Sequence, residues 1–192
     1  MTTGLEEYEG KRDFDKTPEP KGGRRSGGGR IFVIHKHDAS RLHYDLRLEH
    51  DGVLLSWAVP KGPSLDTKQR RLAVRVEDHP LDYADFEGVI PDGEYGAGTV
   101  MLWDKGTWEP ADDVERSLKE GKLAFTLSGQ KLVGRFALIH TGARKGAGSA
   151  DQWLLIKEKD EHVRPVAEYD VTEAAPDSAA SGHTMDEIAA GE

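Results

Sequence analysis

Apolar and polar residues alternate with a period of two along most of the middle of the chain. "IFVIHKH" opens a strand at Ile31, and "RLHYDLRLEH" alternates without a break. Leu42, Tyr44, Leu46 and Leu48 fall on one side of that segment, and His43, Asp45, Arg47 and Glu49 on the other. Asp51-Gly52 is a hairpin turn signal, after which "VLLSWAVP" returns. "RRLAVRVED" alternates again, with Leu72, Val74 and Val76 opposite Arg71, Arg75 and Glu77. "GTVMLWDKGTWEP" reads as a strand, a Gly-containing turn and a short strand. "DDVERSLKEG", acidic at its start and closed by Lys-Glu-Gly, suits one short helix. "KLAFTLSGQKLVGRFALIHT" supplies another hairpin, and "QWLLIKE" a last long strand. The pattern predicts a mainly β fold of about seven to nine short strands with small helices, a sandwich or small barrel.

The two ends differ from this body. "TPEPKGGRRSGGGR" is a Pro/Gly-rich basic segment that cannot contribute to a core, and it suits a linker or an arm reaching toward phosphates. From Glu168 onward the chain carries seven acidic residues and no Lys or Arg. That segment is expected to be a disordered tail or a linker, with a short docking helix around Met185 to Ala190 as the alternative. The expected division is therefore an N-terminal motif segment with a linker over 1–30, a β-barrel domain over 31–167 and an acidic tail over 168–192.

Charge changes meaning once the tail is set aside. The whole chain has a formal net charge of -9, but without the tail 26 basic residues stand against 28 acidic ones. A near-neutral body argues against a protein that wraps long duplex, because each neutralised phosphate needs a basic group. At 192 residues the chain suffices for one core and one domain. It has no cysteine, so disulfides and thiolate metal sites are excluded, and any metal must be held by His, Asp or Glu. No signal-peptide core or membrane-length apolar run is present, and a cytoplasmic, monomeric protein is expected. Trp57, Trp103, Trp108 and Trp153 are read as core residues rather than base-stacking platforms. In "TGARKGAGSADQ", Arg144 and Lys145 face either a polyanion or solvent.

The chemistry concentrates in "HKHDASRLHYDLRLEHDG". Residues two apart on a strand point the same way, so His43 and Asp45 present an imidazole and a carboxylate to one space, with Arg47 next. A bend at "DASR" can fold His37 back over His43. His37, His43 and Asp45 then form an N/N/O set suited to Mn, Fe or Zn with open positions for water or substrate. His35 is a spare ligand, a neighbour that orients the ligands, or a surface histidine. Arg47 beside a metal calls for an anion, and a phosphate bridging the two is chemically coherent. Arg71, Arg75, Glu77, His79 and Tyr83 are further candidates, with Lys61 and the glutamate of "PDGEYGAGT" weaker. A protonated His79 would neutralise a phosphoryl oxygen or protonate a leaving oxygen, and Tyr83 would steady the same charge or complete the core edge. The glycines match neither a P-loop nor a dinucleotide fingerprint. Three functions compete here: a metal phosphoesterase, a non-haem iron oxygenase using His43, Asp45 and a distant His79, and a non-catalytic nucleic-acid-binding module.

"KRDFDKTPEP", "HKHDASRLHYDLRLEHDGVLLSWAVPKGPS" and "RRLAVRVEDHPLDYADFEGVIPDGEYGAGTVMLWDKGTW" together resemble the 3'-phosphoesterase domain of bacterial ATP-dependent DNA ligase D, over most of Lys11 to about Val166. The resemblance implies a compact β-barrel, of about six to nine strands on the pattern above, flanked by small helices. It implies a manganese-dependent enzyme, with Co2+ or Zn2+ as other candidate metals. Such an enzyme removes a 3'-terminal ribonucleoside and then the 3'-phosphate, leaving a 3'-OH. It implies His37, His43 and Asp45 as metal ligands, Arg47 and His79 as phosphate contacts, and Tyr83 in the same pocket. Arg12, Asp13, Glu19, Arg71 and Glu77 match further residues on which activity depends in the family. Composition alone gives no reason to place "KRDF" at an active site. The implied partners are DNA primer-template 3' ends and the end-joining factors Ku, a polymerase and a ligase. The pattern departs at His35, where relatives often have Gln.

Overall fold

The computed structural model describes residues 4–22, 29–142 and 150–192. Among them, nine strands follow in order: β1 (Ile31–Asp38), β2 (Leu42–His50), β3 (Val53–Val59), β4 (Arg70–Pro80), β5 (Gly88–Ile90), β6 (Gly98–Pro110), β7 (Lys122–Gly129), β8 (Val133–His140) and β9 (Asp151–Lys157). Antiparallel pairing runs β1-β2-β3-β4-β9-β8-β7-β6, and β6 pairs back onto β1 to close an eight-stranded barrel. Closure satisfies the ladder groups that an open sheet would leave at its edges. The short β5 lies on the other edge of β6, against Gly98 to Val100. The helices are α1 (Glu6–Gly10), α2 (Val114–Glu120), α3 (Val171–Ala174) and α4 (Met185–Ala189), with a 3-10 turn at Leu81–Asp85. None is long and apolar enough to cross a membrane. The mainly β barrel expected from the alternation is thus present, and α2 sits where "DDVERSLKEG" predicts it. Asp113 caps its first turn by accepting from the Arg116 amide, and Gly121 ends it at φ 82°.

Two apolar clusters lie on opposite faces of the first strands. The larger holds Phe32, Ile34, Tyr44, Leu46, Leu48 and all four tryptophans, as expected. The smaller packs Val33, Leu54 and Leu102 against Tyr8, Leu81, Tyr83, Phe86 and Ile90, most of them from the 3-10 turn and the N-terminal segment. The alternate face of β2 is therefore roofed, and Asp45, Arg47 and Glu49 are all buried. Leu42, by contrast, is 47% exposed and does not help hold the strand.

Two local expectations change. "GTVMLWDKGTWEP" forms one 13-residue strand, not two strands and a turn. Gly106 marks a close approach, because a Cβ there would collide with the Ser128 carbonyl. The buried Asp104 carboxylate collects the amides of Gln130, Lys131 and Leu132 from the β7–β8 turn, tying that turn to β6. In β4 it is Ala73 that enters the main core, while Leu72 is exposed and Val76 lines a cleft on the outer face. Register then shifts: Ser56 pairs Val76 but Leu54 pairs His79, so β4 carries one extra residue. That bulge turns Glu77 and His79 toward the same cleft as Val76.

The acidic tail, expected to be disordered or a linker, is folded against the barrel. Val171 and Ile188 join the larger cluster, and Tyr169 and Met185 pack beside them. Composition understates this segment because its few apolar residues sit on capped helices: Asp170 caps α3, and Thr184 with Glu187 forms a capping box on α4. Leu102 pairs with His35 of β1, but on its other edge it lies between the stretches of β6 covered by β5 and by β7, so no strand meets it there. Its carbonyl accepts from the Ala179 amide, and its own amide donates to Glu87. Arg24, Arg25, Arg144 and Lys145, read as possible polyanion contacts, lie outside the described residues.

Candidate active site

Hairpin register places His37 directly opposite His43 on β1 and β2. His37, His43 and Asp45 each offer one ligand atom, and these atoms lie within 4.8 Å of one another. Their ring nitrogens are assigned by their partners, since a carbonyl can only accept. Nε2 of His37 donates to the Gly96 carbonyl at 2.7 Å, and Nδ1 of His43 to the Arg41 carbonyl at 3.0 Å. Both remaining nitrogens, Nδ1 of His37 and Nε2 of His43, face Asp45 Oδ2 at 3.9 and 3.4 Å. In neutral rings, two lone pairs and a carboxylate then converge with no proton between them, an arrangement that fits a divalent cation. Burial opposes a proton at this point, but Asp45 raises the His43 pKa above its ordinary value. His37 is lowered, chiefly by burial. Asp45 is held below the usual carboxylate range, burial being outweighed by Arg47 and His43.

Arg47 adjoins this set and is bonded on three sides. Its Nε donates to His35 Nδ1, Nη1 to Ser56 Oγ and Nη2 to Asp45. His35 is completely buried and donates from Nε2 to the Phe86 carbonyl. Of the three readings of His35, the structure selects the one in which it orients its neighbours.

A cavity of about 230 Å³ opens over these groups, lined also by Arg12, Glu77, His79, Tyr83 and Tyr95. Arg12 pairs with Glu19 at 2.8 Å and Glu77 at 3.6 Å, and its guanidinium lies 3.9 Å from the centroid of the Tyr8 ring. "KRDF" thus reaches the cleft by wrapping over it. Tyr83 lines the cavity, and its hydroxyl donates to Glu19 at 2.9 Å. His79 donates from Nδ1 to the Glu77 carbonyl, leaving Nε2 without a protein partner among the described residues. Burial, Arg47 and Arg12 lower its pKa far below the ordinary value, which disfavours the protonated form before substrate binds. His79 also does not join the ligand cluster, so the His43, Asp45, His79 triad of an oxygenase is not assembled.

Three expected residues do not line the cavity, of which Glu19 still reaches it through its bonds to Arg12 and Tyr83. Asp13 is exposed, paired with Lys16 and capping a local turn. Arg71 donates to the Lys61 carbonyl and does not line the cavity. Conversely, the alternation of strands gave no signal for Tyr8, Ser56, Tyr95 or the Gly96 carbonyl, since three of these act through loops or helices distant in sequence.

The family model for the DNA ligase D 3'-phosphoesterase domain matches residues 35–140. The chain belongs to this family. The multifunctional non-homologous end joining protein LigD of Pseudomonas aeruginosa is 55% identical over 184 residues, 94% of this chain and 22% of that protein. The LigD protein of Mycobacterium tuberculosis is 45% identical over 168 residues, 86% of this chain and 21% of its own length. That of Mycolicibacterium smegmatis is 45% identical over 170 residues, with shares of 84% and 21%. This phosphoesterase domain therefore spans about a fifth of the length of the curated relatives it matches.

Proposed function

We propose that this domain is a metal-dependent phosphoesterase acting on DNA and RNA 3' ends in end-joining repair. It removes a 3'-terminal ribonucleoside by diester cleavage and then the 3'-phosphate, leaving a 3'-OH. The supporting observation is one cavity that combines an N/N/O donor set with the guanidiniums of Arg47 and Arg12. Held by His37 Nδ1, His43 Nε2 and Asp45, Mn2+, or Co2+ or Zn2+, supplies Lewis-acid polarisation of a phosphoryl oxygen and a water of lowered pKa. Arg47 cannot swing away, because all three of its nitrogens are bonded, so it offers a fixed positive charge to the non-bridging oxygens. Arg12 adds a second cation from the roof. A phosphate entering between them offsets the Arg47 and Arg12 charges that, after burial, lower the His79 pKa. Nε2 is then able to take up a proton and hydrogen-bond the phosphoryl oxygen. DNA primer-template 3' ends are the proposed substrate, and Ku, a polymerase and a ligase the proposed co-workers.

The test uses a labelled primer carrying one 3'-terminal ribonucleotide, with and without Mn2+. Stepwise conversion to a 3'-phosphate and then a 3'-OH, abolished in His43→Ala, is expected. Equal activity of wild type and His43→Ala would sink the metal site. Iron-dependent oxygen uptake without phosphate release would replace the reading with oxygenase chemistry, and an unchanged primer with simple binding.

A further inference from the structure

Among the described residues, the exposed large apolar side chains are Ile31, Leu42, Leu72, Val89 and Tyr95, and of these Tyr95 alone lines the cavity. The residue is 47% exposed, with Lys11 and Arg12 placed 5.1 and 5.3 Å from the ring centroid. An aromatic ring left this open at a polar cavity mouth contributes little to the fold, since burial is what makes an aromatic side chain stabilising.

The loop that carries it is not loose. Between β5 and β6, two successive turns bond Glu94 to Pro91 and Ala97 to Glu94. Gly93 and Gly96 adopt φ 87° and 74°, a backbone region closed to most side chains. The Gly96 carbonyl accepts from His37 Nε2, so the residue next to Tyr95 orients a member of the donor set. The ring is therefore held at a fixed offset from His37, His43 and Asp45.

Size supplies the second argument. Pockets that enclose a whole drug-sized ligand run to roughly 300–1,000 Å³. The cavity measures about 230 Å³. A 3'-phosphate and part of its sugar fill such a space, and the attached base must lie at the mouth, where Tyr95 stands.

We propose that Tyr95 is the platform on which the 3'-terminal nucleobase stacks. The inference rests on the 3'-end reading above and adds how the terminal nucleoside is gripped. Every base has a π-face, so the platform favours a base over none without choosing among the four. Lys11 and Arg12 bring positive charge to the same rim.

Two measurements on wild type, Tyr95→Phe and Tyr95→Ala separate this from a loop-bracing role. The first is kcat/KM for Mn2+-dependent phosphate release from 3'-phosphate primers ending in a normal nucleotide or in a tetrahydrofuran abasic residue. Wild type and Tyr95→Phe should prefer the base-bearing end about tenfold, and in Tyr95→Ala the ratio should collapse to about one. The second is fluorescence of a 3'-phosphate oligonucleotide ending in 2-aminopurine, mixed with protein in the absence of metal. Quenching by wild type and Tyr95→Phe, lost in Tyr95→Ala, supports the platform independently of turnover. A Tyr95→Ala enzyme that keeps the wild-type ratio overturns it, and so does one that weakens on both primers alike. Quenching by a wild type that releases no phosphate would overturn the phosphoesterase reading while leaving the platform standing.

Discussion

Arg47 carries most of its precision through a neighbour. His35 can accept from Arg47 Nε only as the Nε2–H tautomer, which the Phe86 carbonyl enforces. Burial, reinforced by Arg47, holds its pKa down to about 3, so the ring stays neutral at any working pH. An amide can copy this geometry, its oxygen toward Arg47 and its NH2 toward Phe86. His35→Gln is therefore expected to stay within a few-fold of wild type in kcat/KM on a 3'-phosphate primer. His35→Leu leaves an Arg47 donor unpaired, and a loss of about ten- to hundredfold is expected, as for other residues that orient a site. Wild-type rates in His35→Leu would show that Arg47 needs no such support. The histidine was visible in the sequence as a departure from the family pattern, but its role was not, because Phe86 lies 51 residues away.

Strand β2 and the end of β9 show how much an element's surroundings matter. The alternation in "RLHYDLRLEH" correctly paired His43, Asp45 and Arg47 on one face, since that parity is a property of extended backbone. The bulge that redirects β4 left no such trace, because Glu77 and His79 differ from their neighbours only in what β3 does opposite them. At the end of β9, Lys157 is fully buried and pairs with Asp160 at 2.7 Å, its ammonium also donating to the Arg135 and Glu158 carbonyls. Asp160→Asn would leave that ammonium without its counter-charge, at a cost of about 2–3 kcal/mol in urea unfolding at neutral pH. Burial raises the Asp160 pKa, but Lys157 and the Arg135 and His162 amides outweigh it and bring it down to about 2. Because the folded value lies below the unfolded one, the pair's contribution is complete above the unfolded pKa. It fades as pH falls from about 4 through about 2. The stability gap between wild type and Asp160→Asn should close over that window, and a gap that persists at its lower end would contradict the assignment. The α2 cap makes a smaller claim: Asp113→Ala should cost about 1 kcal/mol in the same measurement.

The barrel is wrapped at both ends of the chain, and the wrapping builds the site. The N-terminal segment delivers Tyr8, Arg12 and Glu19 to the outer face of β1 to β4, while the tail packs Val171 and Ile188 into the main cluster. Ile188→Ala should lower stability toward the small end of about 2–5 kcal/mol, read by thermal or urea unfolding. An unchanged midpoint would mean that α4 docks without consequence. Period-two alternation, turn residues and the helix cap are local, so strands, hairpins and the His43, Asp45, Arg47 row follow from the order of residues alone. The tail shows the reverse, as its net acidity hid two apolar contacts that matter only where a cluster waits to receive them. The tautomers set by Gly96 and Phe86 and the Tyr83–Glu19 bond depend on groups 51 to 64 residues apart. Closing the barrel is what brings them together, and burial there sets which atoms carry protons.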